Sequence, residues 1–331
     1  MKNKPLKWGI VSTARIAKNA IVPAIQASKL GKVAAVASRS LSKAEEFAHA
    51  LGIPKAYGSY VELLQDPDID AVYIPLPNDM HKAWAVQAAY AGKHVLCEKP
   101  IAMNAQECRE MVTAAEDNHI QLMEGFMYRY HPRFSKMIEM LRAGNIGELR
   151  MIRTAFTFNI SYPNDFRHIP EMGGGALMDV GCYCLNISRQ IAGREPVSVQ
   201  AQMYKGNTGI DLQLIASMDF GDNLFAQFDC AFNTTPRQEC HIAGTQGTLD
   251  IPKPFVTNSE RCQIIVNTEE DQKTINVKGA NEYQKMIEHF ARCVWGDETP
   301  LFPLKDAIAN MQVIDALFES ARDNGEPVRL L

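Results

Sequence analysis

The strongest constraint on this chain is an alternation. Over the first 124 residues, short apolar runs rich in strand formers (7–12, 32–37, 56–57, 71–76, 94–97 and 121–124) are separated by segments with helical patterning (13–27, 42–51, 60–64, 79–91 and 104–119). Connections of this length carry a chain back over a sheet to a parallel neighbour. The pattern therefore predicts βαβ units and a parallel sheet covered on both faces. Local signals agree: Ser42 with Glu45 three residues on reads as a capping box, Asn104 as a helix cap and Gly92 as a helix stop.

After residue 124 the grammar changes. Helical patterning at 131–143 and 173–193 surrounds one strand-like run, 149–158, and is followed by a series of them: 198–204, 212–220, 223–232, 239–243, 247–251, 262–266 and 274–277. Turn signals such as Phe220-Gly221-Asp222-Asn223 and Gly244-Thr245-Gln246-Gly247 separate these runs, which predicts a mostly antiparallel sheet. Two helices, 282–294 and 304–323, close the chain. The expected fold class is α/β: a doubly wound parallel sheet over residues 1–123, then an α+β domain with a large open sheet over 124–331. The terminal helices are free to pack back on the first domain.

A chain of 331 residues with 46% hydrophobic and 22% charged residues has ample material for two such cores. Its net charge of -4 leaves no cationic excess for nucleic acid or a membrane surface. No apolar run reaches the length of a membrane span, and residues 1–7 lack the pattern of a signal peptide. Cys97, Cys108, Cys182, Cys184, Cys230, Cys240, Cys262 and Cys293 are scattered without a CxxC pair, so buried reduced thiols, no metal site and a cytoplasmic location are expected.

In a doubly wound fold the ligand sits at the carboxyl ends of the strands, and the first strand–helix turn meets a pyrophosphate through backbone amides. Here the G-x-G-x-x-G/A pattern is replaced by Ser12-Thr13-Ala14-Arg15-Ile16-Ala17. Small side chains still permit close approach, and Ser12 and Thr13 add hydroxyls. The second strand ends in Ser38-Arg39 where an NAD enzyme would carry an acid. Arg39 offers a planar fork for a 2′-phosphate, favouring NADP with NAD as the alternative; a solvated loop charge is the plainer reading. The loop after the fourth strand runs Leu76-Pro77-Asn78-Asp79-Met80-His81. Asn78 and His81 there are candidates for helix capping or for facing the nucleotide, and Leu76 lines the same edge.

The fifth strand ends abruptly in Glu98-Lys99-Pro100. Alone, this is either a solvated charged turn or a cation held at the tip of a buried strand. Together with Pro77-Asn78-Asp79-Met80-His81, Glu124-Gly125-Phe126-Met127-Tyr128-Arg129 and Gly173-Gly174-Gly175-Ala176-Leu177-Met178-Asp179-Val180-Gly181-Cys182-Tyr183, it resembles the glucose–fructose oxidoreductase / inositol dehydrogenase (Gfo/Idh/MocA) family over essentially the whole chain. The segments Met127-Tyr128-Arg129 and Asp179-Val180-Gly181-Cys182-Tyr183 look most like the branch of D-xylose dehydrogenases, dimeric dihydrodiol dehydrogenases and 1,5-anhydrofructose reductases.

The resemblance implies a Rossmann domain, an NADP-dependent oxidoreductase acting on a sugar, polyol or cyclic diol, and a homodimer or higher homo-oligomer joined through the open sheet. It implies that Lys99 is the catalytic lysine, stabilising a developing alkoxide, with Glu98 orienting Lys99 or the cofactor ribose, and a cis bond before Pro100. Asp179 and Tyr183, four apart on one helix face, become an acid that holds a substrate hydroxyl or keeps Lys99 charged, and the proton donor/acceptor to the substrate oxygen. Taken singly, Asp179 also suits a helix amino end and Tyr183 a core position. Tyr162, Arg167 and His168 lie in a polar loop that suits a substrate wall, with Tyr162 and Arg167 the named substrate candidates. Tyr128, Arg129, His131 and Arg133 suit a structural junction as well as a substrate contact. Two other functions known among such proteins stay open: glycoside hydrolysis by transient oxidation, and non-catalytic cofactor sensing.

Overall fold

The computed structural model describes residues 4–160, 165–257 and 261–330. The chain divides into two compact units: Met1–Met127 with Tyr283–Ile308, and Tyr128–Glu282 with Ala309–Leu331.

The first unit holds a parallel sheet of β1 (Leu6–Val11), β2 (Gly31–Ala37), β3 (Lys55–Tyr57), β4 (Ala71–Ile74), β5 (His94–Cys97) and β6 (Leu122–Glu124). Among the described residues its order is β3-β2-β1-β4-β5-β6, with every neighbouring pair parallel. All four residues of β4 and the last three of β5 are buried, because both faces of the sheet are covered. The covering helices are α1 (Val22–Ala27), α2 (Leu41–Leu51), α3 (Tyr60–Gln65), α4 (His81–Tyr90) and α5 (Ala105–Asp117). Strand order reverses between β1 and β4, which opens a crevice at their carboxyl ends, where doubly wound folds bind ligands.

The second unit opens with α6 (Pro132–Arg142) and β7 (Leu149–Asn159), followed by α7 (Cys182–Ala192). The strands β8 (Ser198–Lys205), β9 (Asp211–Asp219), β10 (Phe225–Ala231), β11 (Asn233–Gly244), β12 (Thr248–Pro252), β13 (Cys262–Asn267) and β14 (Gln272–Val277) come next. After α8 (Glu282–Val294) and α9 (Leu304–Arg322), β15 (Val328–Arg329) returns to pair with β8. The sheet runs β14-β13-β12-β11-β7-β10-β9-β8-β15, antiparallel except for the β7–β10 pair. Burial alternates along β9, as expected when one face packs and the other stays open. The buried face carries α7, against β7 and β10. Phe290 of α8 packs its ring 5.1 Å from Trp8 of β1, so this late helix fills the core of the first unit.

Three local expectations need correction. The helix expected at 42–51 begins at Leu41 behind Ser40, whose side chain makes no cap bond and instead shares a hydrogen bond with Ser42 Oγ at 3.0 Å. The capping box therefore does not form. Asn78 is not at the capping position of α4, which starts at His81 after a single 3₁₀ turn, Asn78–Met80. The strand expected at 239–243 is twelve residues long and runs through Pro236. Its register shifts between Asn233 and Arg237, the irregularity expected where a proline has no N–H for the ladder.

Ser12, the residue after β1, has φ 138°, a region in which glycine is at ease and other residues are strained. The missing glycine of the nucleotide turn thus leaves its conformation behind. Such a position costs on the order of 1–3 kcal/mol, so Ser12→Gly should raise the denaturant midpoint of the ligand-free protein by about 1 kcal/mol in stability, and Ser12→Val should lower it. An unchanged midpoint for Ser12→Gly would show that the turn carries no strain.

Candidate active site

Lys99 and Glu98 sit half-buried where β5 leaves the sheet, and the Lys99–Pro100 peptide bond is cis. This turn is held by buried groups on neighbouring elements. Tyr73, fully buried in β4, donates its hydroxyl to Glu98 Oε1 at 2.6 Å. The Lys99 amide donates to Glu98 Oε2 at 3.3 Å. Glu124, at the end of β6, accepts from the Ile101 amide at 3.1 Å, and the Gly125 amide donates to the Cys97 carbonyl at 2.7 Å. A Cβ on Gly125 would come within 3.1 Å of that carbonyl and 3.3 Å of Glu98, so the glycine allows the β6 end to lie against the turn.

His81, a cofactor candidate by sequence, has a different role in the structure. Its ring is fully buried, with Nε2 2.8 Å from the Leu76 carbonyl and Nδ1 3.0 Å from the Pro100 carbonyl. Burial depresses its pKa to about 4, so the ring is neutral near pH 7 and donates one N–H across this gap. Both nitrogens are turned to backbone oxygens, and the residue ties the loop after β4 to the turn after β5.

The other cofactor candidates line the carboxyl edge of the sheet. Ser12, Thr13 and Ala14 are half-buried, Arg15 is exposed, and Ile16 leads into a π-helical turn, Ala17–Ile21, ahead of α1. Ser38 is buried and its hydroxyl accepts from the Ser40 amide at 3.3 Å, while Arg39 stands exposed after it. Leu76 and Asn78 are buried in the loop that follows β4.

Asp179 and Tyr183 belong to the second unit. Gly173 and Gly175 take positive φ, and the Gly174 and Gly175 amides donate to the carbonyls of Ile169 and Arg167, both at 3.0 Å. A side chain on Gly174 would collide with those carbonyls. The glycines thus fold the preceding loop back onto the helix that follows. That fold-back joins two candidates: Arg167 Nε donates to Asp179 Oδ2 at 2.6 Å while Nη1 reaches Asp165 at 3.1 Å. Burial works against the charge of Arg167, but Asp179 and Asp165 together outweigh it and hold the guanidinium above its ordinary value. Tyr162 lies outside the described residues.

The helix carrying Asp179 opens as a second π-helical turn, Leu177–Gly181, before α7. Such turns often occur at functional sites. Tyr183 is nearly buried, its ring 5.6 Å from Phe156 and Phe255 and 6.0 Å from Tyr128. Phe255 is held in turn, because Arg133 donates to the carbonyls of Pro252 (2.6 Å) and Lys253 (2.5 Å) just before it. The Tyr128 hydroxyl and Arg129 Nε both donate to Asn186 Oδ1, at 2.6 and 2.7 Å, and His131 caps α6 through the Arg133 amide. Tyr73, Glu124, Asn186 and Phe255 are not among the residues that the sequence singles out for a role. Glu124 stands in a recognisable motif, but a tyrosine in a buried strand and an asparagine inside a helix give no such signal.

A doubly wound sheet with a lysine at the tip of β5, joined in sequence to a domain built on a large open sheet, defines a class: nucleotide-dependent oxidoreductases of two domains. The chain belongs to the GFO/IDH/MocA oxidoreductase family. Residues 6–126 match its "Oxidoreductase family, NAD-binding Rossmann fold" pattern, and residues 134–250 match its C-terminal domain. The chain is 35% identical over 327 residues to a D-xylose 1-dehydrogenase (NADP(+)) of Haloferax volcanii, covering 98% of this chain and 100% of that protein. It is 33% identical to a trans-1,2-dihydrobenzene-1,2-diol dehydrogenase of Xenopus laevis, covering 95% of this chain and 97% of the relative. Among solved structures, a 3-ketoreductase from Actinomadura kijaniata in complex with NADP and TDP-benzene superposes with a TM-score of 0.90 at 27% identity, over 96% of this chain and 98% of that one. Among the described residues, no helix is long and apolar enough to cross a membrane.

The depressed pKa of His81 has a measurable consequence. In the unfolded chain the ring takes its proton near 6.5; in the folded protein, only near 4. The folded state binds fewer protons in between, so the contribution of His81 is fully present above about 6.5 and lost as pH falls through about 4. Thermal unfolding of wild type and His81→Asn should therefore differ most near neutral pH and converge on acidification. A gap that stays constant with pH would show the ring is already charged in the folded protein.

Proposed function

We propose that this protein is an NADP-dependent oxidoreductase that acts on a secondary alcohol or carbonyl group of a sugar, polyol or cyclic diol. The observation that carries this reading is the half-buried Lys99 at the carboxyl end of β5, braced through the Glu98–Tyr73 bond on the same sheet edge as Ser12 and Arg39. Two of the relatives named above are dehydrogenases of a sugar, D-xylose, and of a cyclic diol, and two of the three carry NADP in their descriptions. The residues of that edge suit the cofactor: small side chains and backbone amides at the turn after β1, and an exposed Arg39 in place of an acid after β2.

When bound, the nicotinamide takes or returns the hydride. The chain's own residues handle the oxygen. In the oxidative direction Tyr183, as its phenolate, takes the proton of the substrate hydroxyl as the C–H bond breaks, and the Lys99 ammonium donates a hydrogen bond to the oxygen as its negative charge develops. In reduction the same groups return the proton. Asp179 accepts a substrate hydroxyl while Arg167 keeps it ionised, and Arg167 presents its remaining donors to neighbouring substrate oxygens.

A screen of aldoses, polyols, inositols and dihydrodiols with both cofactors, followed by NADPH absorbance, should find turnover with NADP. Lys99→Met and Tyr183→Phe should each lower kcat by about 10²- to 10⁴-fold, the range of general acid–base catalysis. Arg39→Ala should raise KM for NADP roughly tenfold, about 1.4 kcal/mol, and leave that for NAD unchanged. Full turnover in Lys99→Met would end this mechanism, and an NAD preference indifferent to Arg39 would end the cofactor assignment.

We also infer that copies pair through the open face of the second sheet. Ile215, Phe225 and Tyr204 stand exposed on strands of that sheet, at 56%, 49% and 59% of their area, and Ile215 lines a hollow of about 740 Å³ on it. Sedimentation should show a homo-oligomer that Ile215→Lys dissociates; a wild-type monomer would refute the pairing.

A further inference from the structure

The helix that carries Asp179 and Tyr183 lacks a local cap. Its N-cap position is Ala176, which offers no side-chain acceptor. The first amides of any helix need partners from outside it, and these are ordinarily supplied by a serine, threonine, asparagine or aspartate at the cap itself. Here the partner comes from the sheet. Asp211, the first residue of β9 and 34 positions further along the chain, accepts from the Leu177 amide at 2.6 Å. Asp211 is only 4% exposed.

The glycine before this cap is fitted to it. Gly175 has φ +113°, and a Cβ there would overlap Oδ1 of Asp211. The last glycine of the Gly173–Gly175 run is thus needed for its positive φ and for the space the carboxyl occupies. Further along the same turn, a Cβ on Gly181 would lie 2.8 Å from Cys230 Sγ of β10, so small residues seat the helical turn on the sheet at both ends. Asp179 lies between these two seats, and its amide bonds to the Gly175 carbonyl at 3.1 Å.

We propose that Asp211 is a positioning residue of the active site: it pins the amino end of the Leu177–Gly181 turn to β9 and so sets where Asp179 and Tyr183 stand. This rests on the reading of those two residues as the groups that meet substrate. Burial pushes the carboxyl up to about 7, partly offset by the amide bonds and by Lys205, its partner across the β8–β9 ladder; Cys230, also facing it, is held protonated by burial. Such a carboxyl is worth keeping in the core only where its acceptor oxygens are used, since a buried acid without partners is strongly unfavourable.

The test is Asp211→Ala beside the isosteric Asp211→Asn. Asp211→Ala should lower kcat about 10- to 100-fold per folded molecule, the scale of a misplacement near 1 Å, and leave NADPH affinity by fluorescence titration within about twofold. Asp211→Asn keeps one acceptor and should recover most of the loss. Variants that melt earlier but turn over at the wild-type rate per folded molecule would overturn the proposal, leaving Asp211 a stabilising residue only. The wild-type protein gives a second reading that needs no variant and no substrate. Hydrogen exchange of the Leu177 amide should be slowed by about a hundredfold or more over the intrinsic rate, and exchange at the intrinsic rate would overturn the cap. Because this readout is independent of turnover, a chain with no activity in the substrate screen fails the functional reading without touching the cap.

Discussion

A cation at the end of a buried strand can serve a reaction only if the backbone beneath it does not yield. In the turn after β5, the groups that keep it from yielding come from elsewhere in the fold. Tyr73 fixes Glu98 from β4, Glu124 fixes the Ile101 amide from β6, and the neutral His81 ring in the first turn of α4 donates its one N–H between the Leu76 and Pro100 carbonyls. Each such bond contributes about 0.5–1.5 kcal/mol net, but losing one partner leaves a buried polar group whose desolvation costs about 1–3 kcal/mol. The turn is therefore stiffer than its own short sequence could make it. The parallel sheet order is what allows this: β4, β5 and β6 end side by side, so side chains from two neighbours reach one turn.

The second unit meets the same demand with different means. The Tyr183 ring is gripped by Phe156, Phe255 and Tyr128, from a strand, a loop and the segment before α6, with Phe156 and Phe255 stacked at 5.2 Å. Pairs of this kind are worth about 0.5–1.5 kcal/mol each beyond the area they bury, and they leave the ring few rotamers. Asp179 is instead held electrostatically. Its partner Arg167 is itself forked to Asp165, so the guanidinium plane is fixed before it meets Asp179. Asp179 is buried and Arg167 only partly exposed, so desolvation of the two charges offsets much of their attraction and keeps the pair's contribution to stability modest. Its value lies in keeping Asp179 an anion with a defined orientation.

Much of this is legible in the sequence, and the divide between legible and hidden is physical. The parallel sheet can be read because buried strands and covering helices carry different periods, and the Asn104 cap because its role is local. The Ser38-Arg39 pair and Lys99 stand out as candidates because strand ends are where doubly wound sheets bind ligands. The Tyr73–Glu98 bond is hidden because a tyrosine within a buried strand looks like any core aromatic. His81 reads as ligand-facing because its burial depends on the Pro100 turn, nineteen residues away. The Arg167–Asp179 pair depends on a glycine fold-back whose direction no spacing reveals. The strand through Pro236 reads short because Thr-Thr-Pro has the composition of a turn, and only the register shift on β7 accommodates it.

The hidden contacts share one logic. Sheets and helices satisfy their own backbone; turns do not, and in this protein turns next to the candidate site residues are satisfied by ionisable side chains buried in neighbouring elements. Arg133 serves the carbonyls before Phe255, Glu124 the amide after Pro100, Asp211 the amide before Asp179, and Glu282 the Thr257 amide. An acid or base withdrawn from water in this way shifts toward its neutral form, and the direction of the shift depends on its type. Burial lowers His81 and His131 to about 4, while it raises Asp211 and Glu282 to about 7. The histidines therefore add stability as pH rises through the acid range, and the two acids subtract it as they ionise on the way to neutrality. These slopes oppose one another over the same interval, so burying both kinds of tether leaves the fold less sensitive to pH than either kind alone would. Turns that must hold chemically active side chains still are thus built from groups that themselves titrate, with their proton affinities displaced in opposite directions.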